Sequence, residues 1–307
     1  MIGRAAGPLA ALLCAAATAL VATAPASAAE PLPPGVNDFS CRPASAHPDP
    51  VVLVHGSGTD AQRSFSVLAP ALREDGYCVF TANLGRAQMP GAAVSGSDAV
   101  KGWPGLGPIG AALAGRTVYG VADITGTAAE LAALVDSVRS GTGAEHVALV
   151  GHSTGGTVIR QYLSTHPGAA RTVVTLGTPY RGSTYAGLPG RYPDLAQLGM
   201  DGPHIAAQVF GTAGVQQTAG SPMLARLNAG GESSPGVRVT AIASRTDEVI
   251  TPPETALLAM PTPGDRDIWL QDGCPFRPVD HNGLLADPRA VALVAAALAG
   301  DPADPPC

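Results

Sequence analysis

HVALVGHSTGGTVIRQYL, residues 146–163, is the stretch that decides the fold. His146 to Val150 is a short apolar run of the kind that suits a strand buried on both faces of a parallel sheet. Gly155 to Thr165 reads as the helix that follows. Between them stands Gly151-His152-Ser153-Thr154-Gly155, a G-x-S-x-G pattern. The pattern alone carries little weight, because Gly and Ser are common. A strand running in and a helix running out are what make it informative. Such a turn holds Ser153 in a strained backbone conformation and lifts its hydroxyl above the C-terminal edge of the sheet. Gly151 and Gly155 leave room for neighbouring chains, and Gly156 lets the helix pack closely. The bland alternative is an ordinary glycine-rich strand–helix turn.

Working towards the N-terminus, Val51-Val52-Leu53-Val54 is another short apolar run, followed by His55 and Gly56. Phe65, Leu68, Ala69 and Leu72 have helical spacing within Ser64 to Glu74, and Gly76 is a stop signal. Cys78 to Thr81 is a further strand. This alternation indicates a parallel sheet with crossover helices. Residues 85–120, rich in Gly and Pro, read as an excursion over the sheet. Thr127 and Glu130 have capping-box spacing and are expected to open a helix. Leu131, Leu134, Val135 and Val138 form its buried stripe, and Gly141 and Gly143 end it.

Towards the C-terminus, Arg171 to Leu176, Val237 to Ala243 and Ile268 to Leu270 read as strands, and Pro288 to Leu298 as a last helix. Residues 178–235 are irregular and cap- or lid-like, with Leu195 to Phe210 a weakly amphipathic candidate cap helix. The fold class expected is therefore α/β, with a mostly parallel central sheet, helices on both faces and a lid-like insertion. One domain, 51–307, accounts for the length, preceded by an extended Pro-rich arm, 29–50.

Residues 1–28 have the features of a secretory signal peptide. Arg4 gives a positive start, Leu9 to Val21 an apolar run, and Ala26-Ser27-Ala28 a small-x-small cleavage pattern. The apolar run is shorter than the roughly 20 residues of a spanning helix. Export, with cleavage near Ala28, is the expectation. Cys14 falls in that leader, leaving Cys41, Cys78, Cys274 and Cys307. An even number in an exported chain suggests two disulfides. Cys41–Cys78 and Cys274–Cys307 each close a local loop and are favoured among the three pairings. No C-x-x-C spacing is present, so no zinc or other metal site is expected. The net charge is −6 and Lys101 is the only lysine, which gives nucleic-acid binding no electrostatic support. Aromatic residues make up 4 % of the chain, so no carbohydrate-stacking platform is evident.

A neutral serine hydroxyl is a poor nucleophile and needs a base. Behind a strand–elbow–helix the chain order is nucleophile, acid, histidine. Of the seven histidines, only His204 and His281 follow Ser153 by more than a helix length. His281 lies in a loop after the last expected strand, whereas His204 lies in the lid-like segment, so His281 is the candidate base. The acid should follow Val237–Ala243. Asp247 is the choice, with Glu248 its neighbour. Asp272 and Asp280 are too close to His281 in sequence. The developing negative oxygen needs backbone N–H donors. Thr154, after the nucleophile, is one candidate, and Ser57, in the His55-Gly56-Ser57-Gly58 loop, is the other. His55 is expected to order that loop by hydrogen bonding.

These segments resemble the secreted bacterial class 2 lipases of the α/β-hydrolase superfamily, from about Val51 to about Leu298. The resemblance is carried by Val54-His55-Gly56, Asp123 ahead of the Thr127–Arg139 helix, Leu149-Val150-Gly151-His152-Ser153 and Leu176-Gly177-Thr178-Pro179. Its most specific parts are Arg245-Thr246-Asp247-Glu248-Val249-Ile250-Thr251-Pro252 and Leu270-Gln271-Asp272-Gly273-Cys274-Pro275, followed by Asp280-His281. It implies Ser153 as nucleophile, Asp247 as acid, His281 as base and main-chain oxyanion donors at Ser57 and Thr154. Two departures stand out. Such lipases often carry Gln where this chain has Thr154, and Asn-His-Gly where it has Tyr180-Arg181-Gly182-Ser183.

The activity expected is hydrolysis of carboxylic esters, acylglycerols or similar lipid esters, through an acyl-enzyme, with no metal or organic cofactor. Transient contact with a lipid–water interface is compatible with that substrate. The same residues would serve acyl transfer to an alcohol, and a catalytically silent binding module is the third reading.

Overall fold

Alternation along Val51-Val52-Leu53-Val54 divides the interior in two. Val52 and Val54 belong to one apolar cluster and Val51 and Leu53 to another, as the two-residue period of a strand requires. The computed structural model describes residue 3 and residues 32–89, 116–301 and 305–307. The leader expected over 1–28 lies outside them apart from Gly3, and so does most of the 85–120 excursion. The sheet and its helices all lie within one unit, Pro31–Cys307.

The strands are β1 (Val51–Val54), β2 (Val79–Thr81), β3 (Ala87–Met89), β4 (Arg116–Val118), β5 (Val147–His152), β6 (Ala170–Leu176), β7 (Arg238–Ala243) and β8 (Arg266–Trp269). Among the described residues, a six-stranded sheet has the order β2-β1-β5-β6-β7-β8, and each of its pairings is parallel. β5 stands near its centre and is buried along its whole length, which explains its uninterrupted apolar reading. β3 and β4 pair antiparallel in a separate ladder.

Helices cover both faces. On one side lie α3 (Ile124–Thr142) and α4 (Thr154–Thr165), which bury Leu131, Val135, Val158 and Tyr162 against Val52 and Leu149. On the other lie α1 (Ala61–Phe65), α2 (Leu68–Glu74) and α9 (Pro288–Ala299), with Phe65, Leu72 and Leu293 against Leu53 and Val174. Each such side chain removed from water contributes roughly 1.5–3 kcal/mol. The helix α4 approaches the sheet closely. A Cβ on Gly155 would sit 2.0 Å from the Val54 carbonyl oxygen, and one on Gly156 would sit 2.0 Å from Thr178 Oγ1.

Several element boundaries differ from the sequence expectation. The helix expected over Ser64–Glu74 is two, α1 and α2. Asp60 caps the first by accepting from Arg63 N at 2.8 Å, so it begins before Ser64. Thr127 does not open α3. Asp123 does, its Oδ1 accepting from Gly126 N at 3.0 Å. The capping box is not formed: Thr127 Oγ1 donates to Asp123 O at 2.8 Å, and Glu130 Oε2 instead accepts from Gly85 N at 2.9 Å. A carboxylate from the helix thus serves a distant loop, a partner no local pattern reveals.

Residues 178–235 are more regular than their composition suggested. They hold α5 (Leu188–Arg191), α6 (Pro193–Gln197), α7 (Gly202–Gln216) and α8 (Pro222–Asn228). The single cap helix expected over Leu195–Phe210 is divided between α6 and α7. Asp201 starts α7 by capping His204 N at 3.0 Å, with Pro203 in its first turn. α7 is itself broken at Gly211 (φ 59), whose missing Cβ would lie 2.7 Å from Val121 O. Tyr185, Leu188, Ile205 and Val209 from this segment form a third apolar cluster with Val249 and Ile250.

The arm is tied to the sheet edge. Asn37 Nδ2 donates to Thr81 O at 2.9 Å, Thr81 N donates to Asn37 Oδ1 at 2.8 Å, and Cys41 is bonded to Cys78. Cys274 is bonded to Cys307. No helix among the described residues is long and apolar enough to cross a membrane.

Candidate active site

Ser153 follows the last residue of β5 and precedes the first of α4, with φ 53 and ψ −124. A left-handed backbone at a residue with a Cβ costs on the order of 1–3 kcal/mol and persists only where its surroundings over-determine it. Here Ser153 N donates to Leu176 O at 2.8 Å. Its carbonyl accepts from Thr178 Oγ1 at 3.0 Å and from Gly156 N at 3.1 Å. Ser153 lines a cavity of about 540 Å³, as do His281, Ser57 and Thr154.

His281 Nδ1 lies 2.7 Å from Asp247 Oδ2, and both side chains are buried. The second oxygen, Oδ1, accepts from Val249 N and Ile250 N, each at 2.8 Å. A carboxylate only accepts, so neutral His281 carries its hydrogen on Nδ1 and keeps the Nε2 lone pair free to take a proton. Burial alone would raise the Asp247 pKa. The His281 charge, its hydrogen bond and the two backbone N–H groups outweigh that and hold the carboxyl below its ordinary value. Room for this contact depends on Gly177 (φ 56), where a Cβ would come within 3.1 Å of His281 Nδ1 and 3.2 Å of Asp247 Oδ2.

The acid and histidine loops are stitched together. Ser244 Oγ and Thr246 Oγ1 both donate to Val279 O, at 2.5 and 2.9 Å. Gln271 Nε2 donates to Ser244 Oγ at 2.9 Å and its oxygen accepts from Arg245 N at 3.0 Å, which explains why the Leu270–Pro275 segment bears on the site. His152 Nε2–H donates to His281 O at 3.0 Å. Burial first, and then the His281 charge, push His152 down to about 3, so it stays neutral.

The rival residues lie elsewhere. Glu248 pairs with Arg191 and accepts from His281 N, and touches the backbone rather than the imidazole. Asp272 pairs with Arg245, Asp280 accepts from Gly283 N, and His204 pairs with Asp201 at the surface. His55 Nε2 accepts from Leu84 N at 3.0 Å, so its hydrogen sits on Nδ1 and goes to Gly56 O at 2.9 Å. Burial lowers its pKa, and the ring acts as a fixed brace for the loop that carries Ser57.

Ser57 and Thr154 meet at their side chains, Oγ to Oγ1, at 2.6 Å. Thr154 is the first residue of α4, where backbone N–H groups have no partner within the helix and the helix end favours negative charge. Around these polar groups the cavity has an apolar wall that includes Tyr185, Val209, Phe210 and Ile250.

Two contributors were not anticipated. Ser183 Oγ donates to Val249 O at 2.7 Å and accepts from Tyr185 N and Thr251 N, each at 2.9 Å, so it braces the loop that holds Asp247. Gln217, at the end of α7, donates to Thr154 Oγ1 at 2.8 Å. Both are polar residues in the least periodic part of the sequence, and no local signal marks them.

Residues 49–250 match the model of the family described as alpha/beta hydrolase fold, and the chain belongs to that family. A triacylglycerol lipase of Pseudarthrobacter phenanthrenivorans is 38 % identical over 89 residues, 28 % of this chain and 28 % of that one. One from Vibrio cholerae serotype O1 is 32 % identical over 119 residues, 39 % of this chain and 35 % of that one. The matched stretches therefore span about a third of the length of these relatives. Among solved structures, Aspergillus fumigatus lipase B has a TM-score of 0.60 at 18 % identity, covering 90 % of this chain and 57 % of that chain. The mature form of Bacillus licheniformis lipase BlEst2 has a TM-score of 0.55 at 18 % identity, covering 84 % and 94 %. At such identities these two likenesses speak for the fold alone.

Proposed function

We propose that this chain is a serine carboxylic ester hydrolase, a lipase or esterase, acting on lipid-like esters through an acyl-enzyme. The observation that carries the reading is the joint placement of a strained Ser153 and an Asp247-oriented His281 on one cavity. His281 Nε2 takes the Ser153 proton as Oγ attacks the ester carbonyl. The carbonyl oxygen, now negative, is held by the Ser57 and Thr154 backbone N–H groups. His281 then delivers its proton to the departing alcohol, leaving an ester on Ser153. Water, deprotonated by His281, attacks that ester, and the acid leaves as Ser153 recovers its proton. Asp247 keeps its charge throughout and stabilises the imidazolium. Each step uses side chains and backbone amides of this chain.

Triacylglycerol lipase relatives and the apolar cavity wall support an acyl group of lipid character. The same reading takes residues 1–28 as a secretory leader, 29–50 as an arm, and 51–307 as the hydrolase domain with 178–235 as its cap. Two disulfides fit an oxidising, extracellular destination. The test is initial rates of the oxidised protein on p-nitrophenyl esters from C2 to C16, beside S153A. Ser153-dependent rates that rise with chain length support a lipase. Rates confined to short chains support an esterase, and S153A at near wild-type rate refutes the mechanism.

A further inference from the structure

The mechanism asks only a backbone N–H of Ser57 and of Thr154. Their side chains nonetheless belong to a continuous hydrogen-bonded chain, and chemistry fixes its direction. Ser57 Oγ lies 2.6 Å from Gly120 O, a carbonyl that can only accept, so the Ser57 hydroxyl hydrogen is spent there. The contact between Ser57 and Thr154 at 2.6 Å must then run from Thr154 Oγ1–H to Ser57 Oγ. With its own hydrogen committed, Thr154 accepts from Gln217 Nε2 at 2.8 Å. The other amide hydrogen of Gln217 goes to Ala213 O at 3.1 Å, and its oxygen accepts from Thr157 Oγ1 at 2.9 Å. The order is Thr157 to Gln217 to Thr154 to Ser57 to Gly120. Thr157, Gln217 and Thr154 are buried, so a broken link leaves a polar group unpaired where that costs more than at the surface.

The far end of the chain is firm. Gly58 N donates to Tyr119 O at 3.0 Å, so the Ser57 peptide is held on one side by its hydroxyl and on the other by the next N–H. A Cβ on Gly120 would lie 2.2 Å from Gly56 O, so this strand of backbone presses directly on the loop. The near end is α4 itself, whose first residue is Thr154. The two backbone N–H groups come from segments almost a hundred residues apart, joined upstream by the β1–β5 pairing, and the side-chain bond ties the two donor residues themselves to each other.

We propose that this chain of hydrogen bonds is a clamp that sets the spacing of the two oxyanion donors. Gln217 and the hydroxyls of Thr154 and Ser57 are its positioning residues. The proposal rests on the ester-hydrolase reading above. It also gives the departure at Thr154 a role: the hydroxyl there joins the first loop to the cap-like segment through Gln217. An oxyanion binds the N–H pair only in the tetrahedral state, so loosening the clamp affects turnover rather than ground-state binding.

The test uses T154V, Q217L and T154S in the oxidised full-length protein. Melting temperature, kcat and KM on p-nitrophenyl butyrate, and Ki for an alkylboronic acid that adds to Ser153 are measured for each. T154V and Q217L should lose about tenfold or more in kcat, with KM within about twofold, and boronate affinity should fall by a similar factor. T154S keeps the hydroxyl and should stay within about threefold of wild type. Folded T154V and Q217L with wild-type kcat and boronate affinity would overturn the clamp, as would T154S falling as far as T154V. Should T154V fail to fold, Q217L decides alone. Wild-type turnover that survives S153A would bring down the hydrolase reading and the clamp together. Turnover lost in S153A but indifferent to T154V and Q217L brings down the clamp only.

Discussion

Asp247→Asn changes one atom, and the structure dictates where that atom must go. Asp247 Oδ1 accepts two backbone N–H groups, Val249 and Ile250, each at 2.8 Å. An amide nitrogen placed there would face two donors with a third. Each buried donor left without an acceptor costs about 1–3 kcal/mol. Orienting the asparagine oxygen towards His281 therefore costs about 2–6 kcal/mol. The amide instead turns its nitrogen to His281 Nδ1, which must then accept and carry its hydrogen on Nε2. That nitrogen can no longer take the Ser153 proton. At 1.36 kcal/mol per factor of ten, the productive tautomer becomes roughly 30-fold to 10⁴-fold rarer, and the loss of the stabilising charge adds to this. The expected result is a kcat lowered on the order of 10³- to 10⁴-fold, with KM little changed because the carboxyl is buried behind the imidazole. The assay is kcat and KM on p-nitrophenyl butyrate, with the rate of fluorophosphonate labelling and the melting temperature measured beside them. A folded D247N within tenfold of the wild-type kcat would refute the assignment of Asp247.

Three further outcomes are expected from the geometry. Gly177→Ala adds a Cβ at φ 56, close to both His281 Nδ1 and Asp247 Oδ2; kcat should fall about 10- to 100-fold, and unchanged kinetics would show that the histidine–acid contact tolerates displacement. His55 and His152 have folded pKa values below the ordinary 6.5, so the unfolded chain binds more protons as pH falls from that value, to about 3 for His152. Each should make stability decline by up to about 1.4 kcal/mol per pH unit over that window, and a melting temperature flat from pH 7 to pH 5 would contradict it. Removing the Cys41–Cys78 bond in a C41S/C78S double variant frees a loop of sequence separation 37. By the chain-entropy model this costs about 3–4 kcal/mol in denaturant unfolding, and a loss under 1 kcal/mol would mean that the Asn37 bonds to the sheet edge carry the arm alone.

What could be read in the sequence shares one property: its information is local or ordered along the chain. The Val147–His152 strand, the turn at Ser153 and the helix behind it are contiguous, so their geometry shows in composition and spacing. Asp247 and His281 are remote from Ser153, yet the fold visits them in a set order, and the end of a strand is a legible landmark. The start of α3 shows where such reading stops. Thr127 and Glu130 have the spacing of a capping box, but Glu130 is drawn to Gly85 N by the crossing loop, and Asp123 takes the cap. Tertiary competition of that kind leaves no trace in a window of ten residues.

The cap-like segment carries this furthest. Gln216 and Gln217 end α7 in a stretch whose Gly and Pro content conceals its helices. Gln216 donates to Asp123 Oδ2 at 2.5 Å and accepts from Ile124 N at 2.9 Å, so it completes the cap of α3. Its neighbour reaches Thr154 and, through that hydroxyl, the Ser57 loop. Two adjacent amides thus fasten one helix end to the start of α3 and to the turn at Ser153 and Thr154 at once. Ser183 does the equivalent for the acid loop from within the segment that departs from the lipase pattern. Asn or Gln is expected to be exposed and interchangeable on a surface helix, whereas here each amide has both a donor and an acceptor engaged. A substitution that keeps size but reverses hydrogen-bonding capacity, such as Q217E, replaces the donor to Thr154 with an acceptor or a charge. It should therefore cost more turnover than Q217L removes, although glutamate is the closer match in shape. A Q217E variant that is folded and as active as wild type would show that the direction of the chain, and not only its presence, has been misread.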